Sequence, residues 1–317
     1  MARHPYRLTY ALLLLLLEGC THTGLHRDLG QHISSLGPER KVLAVYEPWF
    51  GHPSHISVGY SSQDPVVIRK QMDQAKALGI SGFVVDWYGD REPFLDRSYA
   101  LIQSIAAEKQ FKVAMMYDET QPKNGQATDD ALAAFEKFRR TYLAPTAPGR
   151  EAYLTYNGRP MIFIFPKSTE TDWNRVRAVT DQWETPPLLI YEDRSTPFAS
   201  LFDGFYAWVN PGKKGFAADG SNWGEDYLRD FYYRMQSKYP DKIAVGAAWA
   251  GFDDSKASWG LNRHIAQRCG QTFADTLKIS REYSPLPFLL IATWNDYEEG
   301  SAIERGLAKC DSSNRGN

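Results

Sequence analysis

The run Trp294-Asn295-Asp296-Tyr297-Glu298-Glu299 carries the sharpest chemical signal in the chain. Asp296 and Glu299 stand three apart, so a helical turn would set both carboxyls on one face, within reach of one substrate. One carboxyl can then give a proton to a leaving oxygen while the other acts as base or nucleophile. Glycosidic bonds are cleaved in this way, through an oxocarbenium-like transition state. Glu298 would point elsewhere, toward a structural partner. The competing reading is a turn capped by Asn295 and Asp296 with solvated glutamates.

Other apolar runs end in similar residues: Tyr46-Glu47-Pro48-Trp49, Asp86-Trp87-Tyr88, Tyr117-Asp118-Glu119, Tyr191-Glu192-Asp193, Tyr206 with Trp208 and Asn210, and Trp249. Carboxylates and rings on one rim suit a carbohydrate, whose C–H faces pack on aromatics and whose hydroxyls bond to Asp, Glu, Asn and His. The candidates for sugar contact are Tyr46, Trp49, His55, Asp86, Trp87, Tyr88, Asp118, Asp193, Trp208, Trp249, Trp294 and Asn295. Five of the nine Trp fall at such ends, which weakens a purely structural explanation for each ring taken singly. Composition agrees: 14% of the chain is aromatic, more than an average core requires. With 36 Lys and Arg against 38 Asp and Glu, the chain lacks the basic excess that nucleic-acid binding demands. At 43% hydrophobic it has ample material for a core, which excludes a disordered chain.

These ends need elements to hold them. Short runs apolar on both faces predict strands at Val42–Tyr46, Gly82–Trp87, Lys112–Tyr117, Met161–Phe165, Pro187–Tyr191, Gly204–Val209, Ile243–Ala248 and Phe288–Thr293. Helices are predicted between them at Val66–Leu78, Ser98–Lys109, Asp129–Tyr142, Asp172–Trp183, Asp226–Tyr239 and Gln271–Tyr283, with Asp64-Pro65, Asp172 and Asp226 as start signals. Eight strands alternating with helices predict an α/β fold, a single-domain (β/α)8 TIM barrel over 41–310; an open doubly wound sheet is the alternative. Asn157-Gly158 predicts an extra β-hairpin before the fourth barrel strand. The short stretch after the eighth strand leaves room only for a truncated last helix, then a polar tail over 311–317. Active sites of such barrels lie at the carboxyl ends of the strands, where the residues above fall.

Residues 1–20 read as a secretory signal peptide: Arg3, His4 and Arg7, then six consecutive leucines, then Gly19-Cys20. The apolar run is far short of the ~20 residues that cross a bilayer. Its end resembles a bacterial lipobox, in which Cys20 is acylated; ordinary cleavage is the other reading. Either one puts the domain in the periplasm or at the cell surface, and acylation adds membrane attachment through a lipid anchor. Residues 21–40 would be a linker. Cys269 and Cys310 are a candidate disulfide in an oxidising compartment, or two free thiols.

Three segments together, Tyr46-Glu47-Pro48-Trp49-Phe50-Gly51, Gly79 through Gly89, and Trp294 through Glu304, resemble the glycoside hydrolase family 71/99-like group. That group includes endo-α-mannosidases, endo-α-1,2-mannanases and α-1,3-glucanases, and the resemblance runs from about residue 42 to 305. It implies a hydrolase of α-linked glycans, with oligo- or polysaccharide as substrate, no cofactor, and endo action. It also implies catalytic carboxyls at the first and fourth positions of a Glu-x-x-Glu after strand eight, working with retention through an epoxide-like sugar. Here those positions are Asp296 and Glu299, so the first acid is shorter by one methylene. A base displaced by ~1 Å can cost on the order of a hundredfold in rate. The family's His-Trp pair after strand one is not evident, although His52 and His55 stand nearby. Their H-x-x-H spacing would admit a metal beside Asp86, Asp118 or Asp193, but no further His lies at a strand end and none is expected. The competing function is a glycan-binding lipoprotein that keeps the barrel and the aromatic rim without turnover.

Overall fold

A computed structural model describes residues 28–119, 125–167, 170–193, 199–283 and 286–308. The barrel strands are β1 (Lys41–Tyr46), β2 (Gly82–Trp87), β3 (Lys112–Asp118), β5 (Arg159–Phe165), β6 (Leu188–Glu192), β7 (Gly204–Tyr206), β8 (Ile243–Ala248) and β11 (Phe288–Ile291). All eight are parallel, and two pairings close the ring: β1 with β11 (Val42 opposite Leu289) and β3 with β5 (Met115 opposite Ile162). The (β/α)8 barrel predicted from the sequence is thus the observed fold. The helices are α1 (Pro65–Ala77), α2 (Pro93–Lys109), α3 (Ala127–Tyr142), α4 (Trp173–Thr180), α5 (Glu225–Ser237) and α6 (Gln271–Glu282).

Strand alternation decides what reaches the rim, since successive side chains point to opposite faces. On β1 the Tyr46 hydroxyl bonds outward to Gln71 of α1 (2.7 Å), which turns the next residue, Glu47, inward. On β2 the Trp87 indole reaches Asp96 of α2 (3.2 Å) and packs on Phe138 of α3, so Asp86 and Tyr88 face the barrel mouth. On β3 Tyr117 packs on Phe135 of α3, and Met116 and Asp118 line the mouth.

The predicted hairpin is β4 (Thr155–Tyr156) antiparallel to β5, turning at Asn157 (φ 50°) and Gly158 (φ 77°). Among the described residues no helix follows β11; residues 292–308 fold back on the barrel end instead. Asp64 and Asp172 cap α1 and α4 as read from the sequence. Three details differ. Helix α2 begins at Pro93 and not near Ser98, because Glu92 accepts the Phe94 amide ahead of a proline at the first position. Asp226 lies inside the first turn of α5 and accepts the Lys213 amide (3.1 Å), while Gly224 takes the cap position. Within the span read as a linker, residues 28–34 are helical, and Leu29, Ile33 and Leu36 are buried in the barrel core cluster.

A second, smaller apolar cluster sits on the rim. Trp49, Phe50 and Leu95 form its centre, with Ile56, Val58, Tyr60 and Tyr88 packed against them. Segment 1–20 with Cys20, Cys310 and the tail 311–317 lie outside the described residues. No described helix is long and apolar enough to cross a membrane.

Gly224 (φ 93°) joins the loop after β7 to α5, and a Cβ there would meet the Asn210 carbonyl at 2.1 Å and Trp249 at 2.7 Å. Gly224→Ala is expected to destabilise the protein by about 1–3 kcal/mol, through strain and overpacking, measured as a loss of unfolding free energy in urea.

Candidate active site

After β11 the chain closes a tight loop. The Trp294 amide bonds to the Val45 carbonyl (2.7 Å), Ser301 and Ala302 donate to the Asp296 carbonyl (both 3.1 Å), and Thr293 Oγ1 accepts the Asp296 amide (2.8 Å). Asn295 bridges to the first strand: its Oδ1 accepts the Glu47 amide (2.8 Å) and its Nδ2 donates to the Glu47 carbonyl (3.0 Å). Asp296 Oδ1 accepts the amides of Glu298 (3.0 Å) and Glu299 (2.8 Å). Glu298 turns away, taking His55 Nδ1 (2.7 Å) and the Ile56 amide (3.1 Å), while His55 stacks on Trp49 at 4.8 Å.

The loop brings Asp296 and Glu299 to the wall of one cleft of about 410 Å³. Glu47, Asp86 and Asp118 join them, with Trp49, Tyr88, Phe165, Trp208 and Trp259 as aromatic lining. Two cations, Lys167 and Arg263, also line it. A second cavity of about 740 Å³ shares Phe165, Trp208, Arg263 and Glu299 with the first and runs on past Asn210, Phe216, Tyr227 and Phe252. The two cavities adjoin across these four shared residues.

Electrostatically the cleft is crowded with acid. Burial first, then the Asp86, Asp296, Glu299 and Asp118 carboxyls, hold Glu47 well above the ordinary carboxylate range. Burial and Glu299 do the same to Asp296, burial and Asp118 to Asp86, and burial raises Glu299. Lys167 meets Asp118 at 2.7 Å; burial opposes its charge, but Asp118 and Asp86 outweigh that and keep it a stronger base than usual. Tyr88 donates its hydroxyl to Asp86. Glu47 and Asp86 each keep one buried carboxyl oxygen without a protein partner.

Of the residues read as sugar contacts, Trp49, Asp86, Tyr88, Asp118 and Trp208 line the first cleft, and Asp193 lines the second cavity. Asp193 is clamped by Arg234 through two bonds (2.8 and 2.6 Å). Asn295 and His55 hold neighbours in place. Tyr46, Trp87, Trp249 and Trp294 are fully buried and belong to the core: Tyr46 and Trp87 by strand alternation, Trp249 through its bond to the Trp223 carbonyl (3.1 Å), and Trp294 against Phe83. His52 bonds to Ser54 (2.7 Å) and lies 3.9 Å from Glu92, apart from the carboxyls named beside it. Cys269 is disulfide-bonded.

Sequence reasoning passed over Glu47, Lys167, Trp259 and Arg263. The parity of β1 would have found Glu47, since an outward Tyr46 requires it inward. Lys167, two residues past β5, follows the same inward parity as Phe165. Trp259 and Arg263 lie in a loop outside the eight barrel strands and left no periodic signal.

A family model, glycosyl hydrolase family 99, matches residues 46–315. A glycoprotein endo-alpha-1,2-mannosidase-like protein of Danio rerio is 25% identical over 293 residues, covering 86% of this chain and 62% of its own length. The Homo sapiens protein of the same description is 21% identical, covering 79% and 56%. The chain thus spans about three fifths of the length of these curated relatives. The solved GH99 endo-alpha-mannosidase of Bacteroides thetaiotaomicron superposes with TM-score 0.66 at 19% identity, covering 86% of this chain and 89% of that one; a likeness at that identity speaks for the barrel fold.

Acids whose folded pKa is raised take up protons on folding, so they weaken the fold as pH climbs above the ordinary carboxylate value of about 4. Glu299→Gln removes one such group and keeps the oxygen that accepts the Trp259 N–H. The variant is expected to melt about 2–4 °C above the parent at pH 8, with the gap closing near pH 4, in thermal scans across pH.

Proposed function

The chain belongs to glycosyl hydrolase family 99, and from that premise we propose that it hydrolyses an α-linked glycan, α-mannan or α-glucan, at bonds within the polymer. The observation that carries this reading is the meeting of Asp296 and Glu299 at the wall of one cleft that adjoins a second cavity. Aromatic walls on both sides of the carboxyl pair suit sugars on both sides of the cleaved bond, which favours endo action. The endo-alpha-mannosidase relatives support the substrate class.

In this reading Glu299 is the acid and Asp296 its partner. Burial raises both acids, and Glu299 raises Asp296 further, so the pair holds a proton above the ordinary carboxylate range. Two backbone amides hold the Asp296 carboxyl and one indole N–H holds Glu299, and the transferable proton is assigned to Glu299. Glu299 then protonates the leaving oxygen, and Asp296 serves as base. The free oxygens of Glu47 and Asp86 bind sugar hydroxyls. Asn295, by fixing Glu47, and Thr293, by fixing Asp296, set the spacing.

The same reading places the protein outside the cytoplasm, held to the membrane by an acylated Cys20 behind its signal peptide. The disulfide-bonded Cys269 supports an oxidising compartment. Mass analysis of the mature N-terminus tests this: a diacylglyceryl cysteine is expected, an unmodified cleaved end would overturn the anchor, and an intact Met1 would overturn the location as well.

The activity test is product analysis against a panel of α-mannans and α-glucans, run beside Glu299→Gln and Asp296→Asn. Oligosaccharides are expected from the parent, with a loss of at least about a hundredfold in either variant while glycan binding is retained. Binding without cleavage by the parent would instead make the protein a glycan-binding lipoprotein.

A further inference from the structure

Between β9 (Phe252–Asp253) and β10 (His264–Ile265) the chain crosses the barrel rim as a loop, residues 254–263. Its frame is a fully buried carboxylate: Asp254 accepts the amides of Leu261 (3.0 Å) and Arg263 (2.7 Å) and the Arg263 Nε (2.7 Å). Gly260 packs so close that a Cβ would lie 1.9 Å from the Asp254 carbonyl. A buried charge and an obligatory glycine make a preformed loop, and the residue it carries near its tip is Trp259.

Trp259 is 43% exposed, one of the few large apolar side chains left open to solvent. Packing alone does not account for such a ring, yet it is held on three sides. Its Nε1 donates to Glu299 Oε1 (2.9 Å), and its edge meets Trp49 and His55, both with ring centroids 6.0 Å away. The base of the same loop grips Glu299 a second time, through the Asp253 amide and the Glu299 carbonyl (2.7 Å). One loop thus holds the backbone and the carboxyl of a single residue, and its exposed ring lines the cleft beside that carboxyl.

We propose that Trp259 is the positioning residue of the acid. Its indole N–H occupies Oε1 and so puts the transferable proton on Oε2 of Glu299, and its open ring face is the platform for the departing sugar. The inference rests on the reading of Glu299 as the acid. In the step, the Oε2 proton passes to the glycosidic oxygen, which leaves with the bonding pair as a sugar hydroxyl. The anomeric carbon gains the oxygen that Asp296 deprotonates, and the N–H of Trp259 stabilises the new Glu299 carboxylate. Besides Asp296 and Trp259, Glu299 faces Glu47 from the end of β1, Lys167 from beyond β5, and Asp254 and Arg263 from the rim loop.

The test begins on the free full-length protein and needs no substrate. With 15N-labelled indoles, the Trp259 signal is identified by its absence in Trp259→Phe and followed across pH. It is expected to titrate with one raised midpoint and to stop titrating in Glu299→Gln. A signal that does not move, or that moves equally in Glu299→Gln, overturns the proposal. Failure to cut any glycan would count against the hydrolase reading alone and leave this titration interpretable.

On a cleaved glycan, Trp259→Phe removes a bond that favours the charged carboxylate, so Glu299 stays protonated to higher pH. The alkaline limb of kcat should move up by about half to one pH unit. kcat should fall about tenfold with KM little changed, because the ring remains. Trp259→Ala should add a rise in KM. An unshifted alkaline limb with unchanged kcat in Trp259→Phe, at the parent's melting temperature, also overturns the assignment.

Discussion

The side-chain amide of Asn295 is the joint on which the site depends. It returns both hydrogen bonds of the Glu47 backbone and so ties the ends of the first and last barrel strands together. The ring is already closed by β1 and β11, but that ladder stops at Ala44 and Ile291, below the rim. Above it, the seam would be free to splay without this bridge and the Trp294 to Val45 bond. Glu47 reaches the cleft from one side of the seam, and Asp296 and Glu299 reach it from the other.

Such an arrangement gathers charge that the fold would otherwise disperse. Five carboxyls and two cations share the cleft, and burial makes every uncompensated charge costly. The protein meets this cost unevenly. Lys167 neutralises the Asp118 side, and backbone amides serve Asp296. Glu47 is left with one buried oxygen that has no protein partner, among carboxyls that raise it further. Protonation is the cheapest response for such groups, and a cleft that holds protons above the ordinary carboxylate range is suited to giving them away.

The fold was largely legible because barrel strands advertise themselves. Runs apolar on both faces such as Gly82–Trp87 and Phe288–Ile291, separated by capped amphipathic stretches, leave few architectures open. Asp64-Pro65 and Asn157-Gly158 marked a helix start and a hairpin, because their backbone requirements are local. Asp226 misled for the same reason in reverse. A side chain that suits a cap was used instead to hold the Lys213 amide, a contact made across a loop. The rim is narrower than the strand-end candidates suggest, because alternation sends Tyr46 and Trp87 under the helices.

What the amino-acid sequence determined by itself was therefore the barrel, its helix caps and hairpin, and the placing of Asp296 and Glu299 together at one end of it. Each of these follows from periodicity, caps and spacing within a few residues. Tertiary structure alone decided that Glu298 serves His55, that Glu47 and Lys167 enter the cleft, and that Trp259 takes hold of Glu299. Those contacts join residues as much as 243 positions apart, and only ring closure and loop packing set their distances.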